Sequence, residues 1–141
     1  MSGKIISERW LIERLAGIEY EGKPIKLHRH PAPNTATYPH ISIAIVSAVD
    51  LYQIGNTSAY ERLQYMIRVW DKGSAAMRVN AIAKDIHKRI HQVEPEMYPD
   101  GQMVSCFRVG ALATGPYEEQ NGEIFVADGG LYQFHVVTYD E

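Results

Sequence analysis

The sequence predicts an α+β fold: a mainly antiparallel sheet of about four to five strands, packed on one face by an N-terminal helix and one long amphipathic helix. Three observations lead there. Residues 62–70 alternate apolar and polar positions as a half-buried strand does, and Val79, Ile82, Ile86, Ile90 and Val93 recur at spacings of three and four as on one face of a helix. The strand-like segments follow one another across short turns, the pattern of antiparallel neighbours, and two helices suffice to cover one face of such a sheet.

In chain order, the first helix is predicted from Ser7 to Gly17, with the Ser7 hydroxyl as N-cap, Trp10, Leu11, Ile12 and Leu15 as its apolar stripe and Gly17 as its stop. A Gly-bearing turn at Glu21–Lys23 leads into a weak strand from Pro24 to His30. Pro31, Pro33 and Pro39 then enclose a loop, because proline donates no ladder bond and restricts the residue before it. From His40 to Val46, Ile41, Ile43 and Ile45 share one face and Ser42, Ala44 and Val46 the other, which suits a central strand covered on one side. Turn residues at Ile54–Ser58 separate it from the strand of Leu63, Tyr65, Ile67 and Val69, whose other face carries Arg62, Gln64, Met66, Arg68 and Trp70. Asp71–Gly73 ends that strand, Ser74 caps the long helix, and Pro95 and Pro99 close it. Met103–Leu112 resumes a strand pattern. Gly115-Pro116 and Asn121-Gly122 bracket an acidic excursion, Ile124–Val126 is a short run stopped by Asp128-Gly129-Gly130, and Leu131–Thr138 is the last strand. No repeat or linker divides the chain, so residues 1–141 are expected to form a single domain.

The chain has 141 residues, of which 45% are hydrophobic, enough to bury a core without disulfides; its one cysteine, Cys106, has nothing to pair with. The longest apolar run, Ile41–Val49, falls well short of the roughly 18 residues that a spanning helix needs. No secretory signal pattern opens the sequence, so a cytoplasmic, reducing compartment is expected. Seventeen acidic against fourteen basic residues, a formal charge of -3, argues against broad affinity for nucleic acid.

Candidate chemistry is sparse. His87 and His91 have the i, i+4 spacing that puts two imidazoles on one helix face, but the flanking Lys88 and Arg89 disfavour a dication there. His28 and His30 share a strand face. Cys106 sits inside a strand pattern and reads as a small buried hydrophobe. Glu118 and Glu119 are adjacent in a hydrophilic loop, a poor geometry for an acid/base pair. No catalytic or metal-binding constellation stands out, and no cofactor is expected. The aromatic content points elsewhere: Trp70 beside Arg68 and Arg62 on an otherwise polar strand face is the composition of a contact surface, with a Trp lying under the first helix as the plain structural reading.

The order of elements carries a resemblance. The N-terminal helix, the Pro-rich lead into Tyr38-Pro39-His40-Ile41-Ser42-Ile43, the strand Glu61–Trp70 with an amphipathic helix directly after it, and the closing Gly130-Leu131-Tyr132-Gln133-Phe134-His135-Val136-Val137 resemble the tail terminator proteins of long-tailed bacteriophages, also called tail-to-head joining or minor tail completion proteins. The likeness covers the chain from about Ser7 to Tyr139. It implies a structural virion protein of the tail, assembled in the host cytoplasm, without catalysis, metal or nucleotide. Such a protein forms a homo-hexameric ring that caps the tail tube, ends its polymerisation and offers a surface to the head–tail connector protein, with DNA passing through the lumen unbound and no membrane involved.

On that footing Arg62, Arg68 and Trp70 are candidates for one side of a subunit interface, since a ring closes by joining two different patches. The acidic residues Glu118, Glu119, Glu123 and Asp128 are candidates for a DNA-repelling lumen, or for the other side of that interface. Two alternatives compete: a small metal- or ligand-binding domain with His28, His30 and His135 converging on a pocket, and a nucleic-acid-binding module using Arg78, Lys84, Lys88 and Arg89.

Overall fold

The computed structural model describes residues 3–30, 36–54, 58–73, 76–111, 114–118 and 124–139. Helix α1 (Gly3–Leu15) is followed by a small hairpin of β1 (Glu19–Tyr20) and β2 (Lys23–Pro24). Its turn places Glu21 and Gly22 at φ 51° and 79°. Strand β3 (Lys26–Arg29) then leads to two long strands, β4 (His40–Ile54) and β5 (Ser58–Lys72), and to helix α2 (Ala76–Ile90). The chain closes with β6 (Glu96–Tyr98), β7 (Gly101–Ala111), β8 (Thr114–Glu118) and β9 (Ile124–Tyr139).

Six strands run in the order β3-β4-β5-β9-β7-β6, and β8 pairs with β9 as a seventh. The α+β expectation of four to five mainly antiparallel strands is corrected on three counts. Strand takes 57% of the chain and helix 25%, so the molecule is mostly β. The sheet is mixed, because β3 runs parallel to β4, pairing Lys26 with His40 and Arg29 with Ile43. It is also curled. The ladder shifts register at Ile45/Ser47, Asp50/Tyr52, Met103/Ser105 and Arg108/Gly110, the kind of interruption at which a strand bends and its local twist increases.

The physical reasons for the extra strand content lie in particular residues. The final strand does not stop at Asp128-Gly129-Gly130 but runs through it, pairing with β5 from Lys72↔Phe125 to Ser58↔Tyr139. The glycines serve close approach: a Cβ on Gly129 would collide with the Ile67 carbonyl oxygen and meet the Arg68 Cα at 2.8 Å. Strand β6 lies between Pro95 and Pro99, which the sequence marks only as helix breakers. Its pairing with β7 from Glu96↔Met103 to Tyr98↔Gly101 stays clear of both prolines.

Helix α1 begins four residues before the expected Ser7. Ser7 is therefore interior and completely buried, and its hydroxyl donates to the Lys4 carbonyl and meets the Tyr65 hydroxyl, both at 3.0 Å. At the other end Gly17 adopts φ 77°, a left-handed stop that Cβ-bearing residues resist. Ser74, the expected cap of α2, lies outside the described residues. Along α2, Val79, Ile82, Ile86 and Ile90 are buried as their spacing requires.

One core unites these elements. Trp10 of α1 meets Phe134 edge-on at 5.8 Å, and Phe134 meets Tyr65 at 5.2 Å. Leu63, Tyr65, Ile67 and Val69 of β5, with Tyr132, Phe134 and Val136 of β9, face both helices. Ion pairs from Arg9 to Asp100 at 2.9 Å and from Arg78 to the buried Asp71 at 2.7 Å tie each helix to the strand ends. Ile12, expected on the α1 stripe, is instead 55% exposed.

Candidate functional surfaces: an open sheet face and a basic cleft

The face of the sheet turned away from the helices is built by parity. Since odd-numbered residues of β5 from Leu63 to Val69 point into the core, Arg62, Gln64, Met66, Arg68 and Trp70 point outward, all half-buried. Arg62, Arg68 and Trp70 thus share one surface. Trp70 donates from Nε1 to the Ser42 Oγ at 3.0 Å, and the Arg68 guanidinium lies 4.8 Å from the Trp70 ring centre. Trp70 therefore does not lie under the first helix; the core tryptophan, Trp10, belongs to α1 itself.

Across the middle of this face runs a chain of polar side chains. Ser47 on β4 donates to Gln64 Oε1 at 3.5 Å, Gln64 Nε2 donates to Gln133 Oε1 at 3.1 Å, and Gln133 Nε2 donates to His135 Nε2 at 3.2 Å. With Nε2 accepting, the ring proton sits on Nδ1, where it is donated to Ser105 Oγ at 3.1 Å. The ladder crosses β4, β5, β9 and β7 and makes the open face a rigid polar surface. Burial, and then the neighbouring Arg62 charge, lower the pKa of His135 below the ordinary 6.5.

Toward its other end the same face becomes aromatic. Tyr38 packs on His40 at 4.7 Å and on Phe125 at 5.5 Å, with the Lys72 ammonium 5.0 Å from the Tyr38 ring. His28 meets His40 at 5.5 Å. Burial lowers the His40 pKa, opposed by its bond to the Thr37 carbonyl and aided by His28.

The three histidines proposed to converge do not. His28 pairs with Ser42 and thereby falls beside Arg68, whereas His135 pairs with Arg62. Six residues of strand, roughly 20 Å, separate the two rows. His30 is exposed at the end of β3, its amide bonded to the Ile43 carbonyl at 2.8 Å. Among the described residues no group of three or more His, Cys, Asp or Glu side chains is placed to hold a metal ion. Cys106 is buried and its thiol pKa is pushed up by desolvation.

The helix side carries a second feature, a cleft of about 410 Å3 between α2 and the β7–β9 strands. Asn80, Lys84, His87 and Lys88 line it from the helix, and Arg108, Asp128, Gly129 and Tyr132 from the sheet. His87 and His91 stack at 4.3 Å with planes 20° apart, so their lone pairs do not aim at a shared point. Each is also engaged: His87 Nδ1 with the Tyr132 hydroxyl at 3.0 Å, and His91 Nδ1 accepting from the Arg108 amide at 3.1 Å. Burial, Arg108 and His91 together lower the His87 pKa.

Of the basic residues assigned to a nucleic-acid face, only Lys84 and Lys88 line this cleft. Arg78 pairs with Asp71, and Arg89 bonds Asp85 at 3.4 Å and the Ala16 carbonyl at 3.2 Å. Arg108, remote in sequence, completes the basic cluster; nothing in its own segment marks it for that role. A second depression, about 440 Å3 between α1 and β3, is largely apolar, with the Glu8–Arg29 pair at 2.7 Å among its lining residues.

The acidic residues divide. Asp128 belongs to the cleft, its Oδ2 accepting from Asn80 at 3.0 Å and its Oδ1 from the Gly129 amide at 2.8 Å. Glu118 ends β8, paired with Ile124. Glu119 and Glu123 lie outside the described residues.

No protein-family model matches this chain, and neither does any curated protein.

Proposed function

We propose that this chain is a structural virion protein, a tail terminator that caps the tail tube of a long-tailed bacteriophage, ends its polymerisation and presents the joining surface for the head–tail connector, assembling for that purpose as a hexameric ring. The sequence resemblance supplies the identity of the partners. The observation that carries the reading on the structural side is the open sheet face, four strands wide, whose side chains are bonded to one another from Ser47 through Gln64, Gln133 and His135 to Ser105.

A face of this kind suits contact with a large partner. Preformed hydrogen bonds fix its shape before docking and reduce the side-chain entropy lost on association. Arg62, Arg68 and Trp70 add the residue types that dominate contact energies. The three histidines of the ligand-binding alternative, spread along the sheet, form no common pocket, so that alternative gains no support from the geometry.

Electron micrographs of phage particles assembled without the protein test the proposal. Tubes of uncontrolled length lacking heads are the expected outcome. Normal, head-bearing tails overturn it.

A further inference from the structure

We propose that two copies of this chain join through the free edge of β4, antiparallel and about a two-fold axis, so that their sheets run on into one another. The inference goes beyond the terminator reading and does not depend on it.

Strand β3 covers only the first part of β4, from His40 to Ile43, while β4 itself continues to Ile54. The Ile43 carbonyl accepts from the His30 amide, which fixes the direction in which the peptide groups of that residue point. By the alternation of a strand, Ile45 turns its own amide and carbonyl the same way, past the end of β3. Among the described residues nothing pairs with this edge along residues 44–54. A row of open donors and acceptors is matched by one kind of partner, another extended strand.

Helix α1 offers such a strand an apolar cover. Ile5, Glu8 and Ile12, at i, i+3 and i+7, lie along one side of the helix. Glu8 holds Arg29, the last residue of β3, at 2.7 Å, and Ile12 lines the depression beside β3. Ile5, one turn before Glu8, therefore faces the line of β3 beyond its end. The Gly3 amide bonds the Glu61 carboxylate at 3.1 Å, and Glu61 is the β5 partner of Asp50, so the start of α1 stands level with the free part of β4. Ile45, opposite the core residue Tyr65, is on the same face of the sheet as the helix. Ile5 and Ile45 are both exposed, as are Val46 and Val49. A strand that continues the line of β3 covers apolar surface as well as completing the ladder.

The second copy supplies that strand because the edge is its own complement. Residues 44–54 hold no proline and one charge, Asp50, whereas natural edges left bare are protected by both. Antiparallel pairing centred on Val49, the middle of the free stretch, sets Val49 opposite its twin and Asp50 opposite Ala48, so no carboxylate meets its own copy. The same register keeps each β4 clear of the other copy's β3, which lies just past the end of the free stretch. One patch serves both copies, so the contact is isologous and closes at two. A ring of like subunits joins two different patches, and this contact is therefore distinct from ring closure.

Sedimentation of the purified full chain from micromolar to millimolar concentration tests the contact, beside Val49→Lys, Val49→Glu and their equimolar mixture. The wild type passes from one copy to two, and added salt does not weaken the pair, because backbone bonds and apolar side chains form it. Hydrogen exchange of the backbone amides of residues 44–49 slows over the same concentration range. Each variant alone places like charges across the two-fold axis and weakens pairing at least tenfold. The mixture recovers it, since lysine then meets glutamate, and this recovery also shows that both variants are folded.

A wild type that stays monomeric at millimolar concentration overturns the proposal and leaves the edge to a foreign strand. Assembly directly into larger species, unchanged pairing in both variants, or a mixture that does not recover overturns it as well. Tail termination is read separately, by tail assembly without the protein.

Discussion

The buried Ser7, Glu8, Ser42 and Asp71 are each held by a side-chain partner, and each pair sets up a measurable consequence of losing one member. Ser7 is fully buried with its hydroxyl 3.0 Å from that of Tyr65, whose pKa burial pushes up to about 12. Ser7→Ala strands the tyrosine hydroxyl and is expected to cost about 1–3 kcal/mol in urea unfolding. The double change Ser7→Ala/Tyr65→Phe removes both partners and should recover part of that loss, which a double-mutant cycle reads directly. His135 gives the pH dependence. Held neutral between Gln133 and Ser105, it binds fewer protons folded than unfolded, as do His40 and His87, all three lowered chiefly by burial from 6.5. Stability accordingly rises with pH across the window between the folded values and 6.5, and falls as acid is added. NMR titration should place the His135 midpoint below 6.5, and His135→Gln should flatten the slope of unfolding free energy in that window. A midpoint at or above 6.5 contradicts the assigned ladder.

At the scale of elements, glycine decides where strand β9 can run. Gly129→Ala forces a Cβ against the Ile67 carbonyl and the Arg68 Cα, both backbone, and should destabilise by about 1–3 kcal/mol through displacement of the β5–β9 pairing. Gly110→Ala meets nothing within 4 Å and should be near neutral, so thermal melts of the two variants separate close packing from backbone freedom. The same glycines explain what was legible in the sequence. Periodicity located β5 and the stripe of α2, because a residue's face there is set by its near neighbours. Gly129-Gly130 reads locally as a stop, and only the facing strand reveals it as a passage. The parallel pairing of β3 with β4, the short β6 between two prolines and the meeting of Arg108 with Lys84 and Lys88 depend on contacts between distant segments, which no local pattern encodes. The outward row of Arg62, Arg68 and Trp70 was legible from alternation alone. The Gln64–Gln133 rung joining it to β9 was not.

Considered whole, the sheet has two unlike edges, and that asymmetry governs how the molecule behaves at high concentration. On the β7 side the end of α2 closes the edge: the Gln92 amide bonds the Cys106 carbonyl at 2.8 Å and the Arg108 amide bonds His91 at 3.1 Å. On the β4 side β3 reaches only to Arg29, and the His30 amide makes the last bond, to Ile43. Beyond that point nothing pairs with the outer edge of β4 among the described residues, and Ile45, Val46 and Val49 are 39, 54 and 40% exposed. An unpaired edge carrying apolar side chains is a template for further strand addition, which natural sheets commonly block with a charge. Val46 sits at the Ile45/Ser47 register shift, the most exposed of the three. Val46→Lys should therefore leave the melting temperature within a few degrees, since little core contact is lost, while reducing light scattering on prolonged incubation of concentrated protein near the melting temperature. If Val46→Lys leaves that scattering unchanged, the exposed stretch of β4 is not the edge along which copies add.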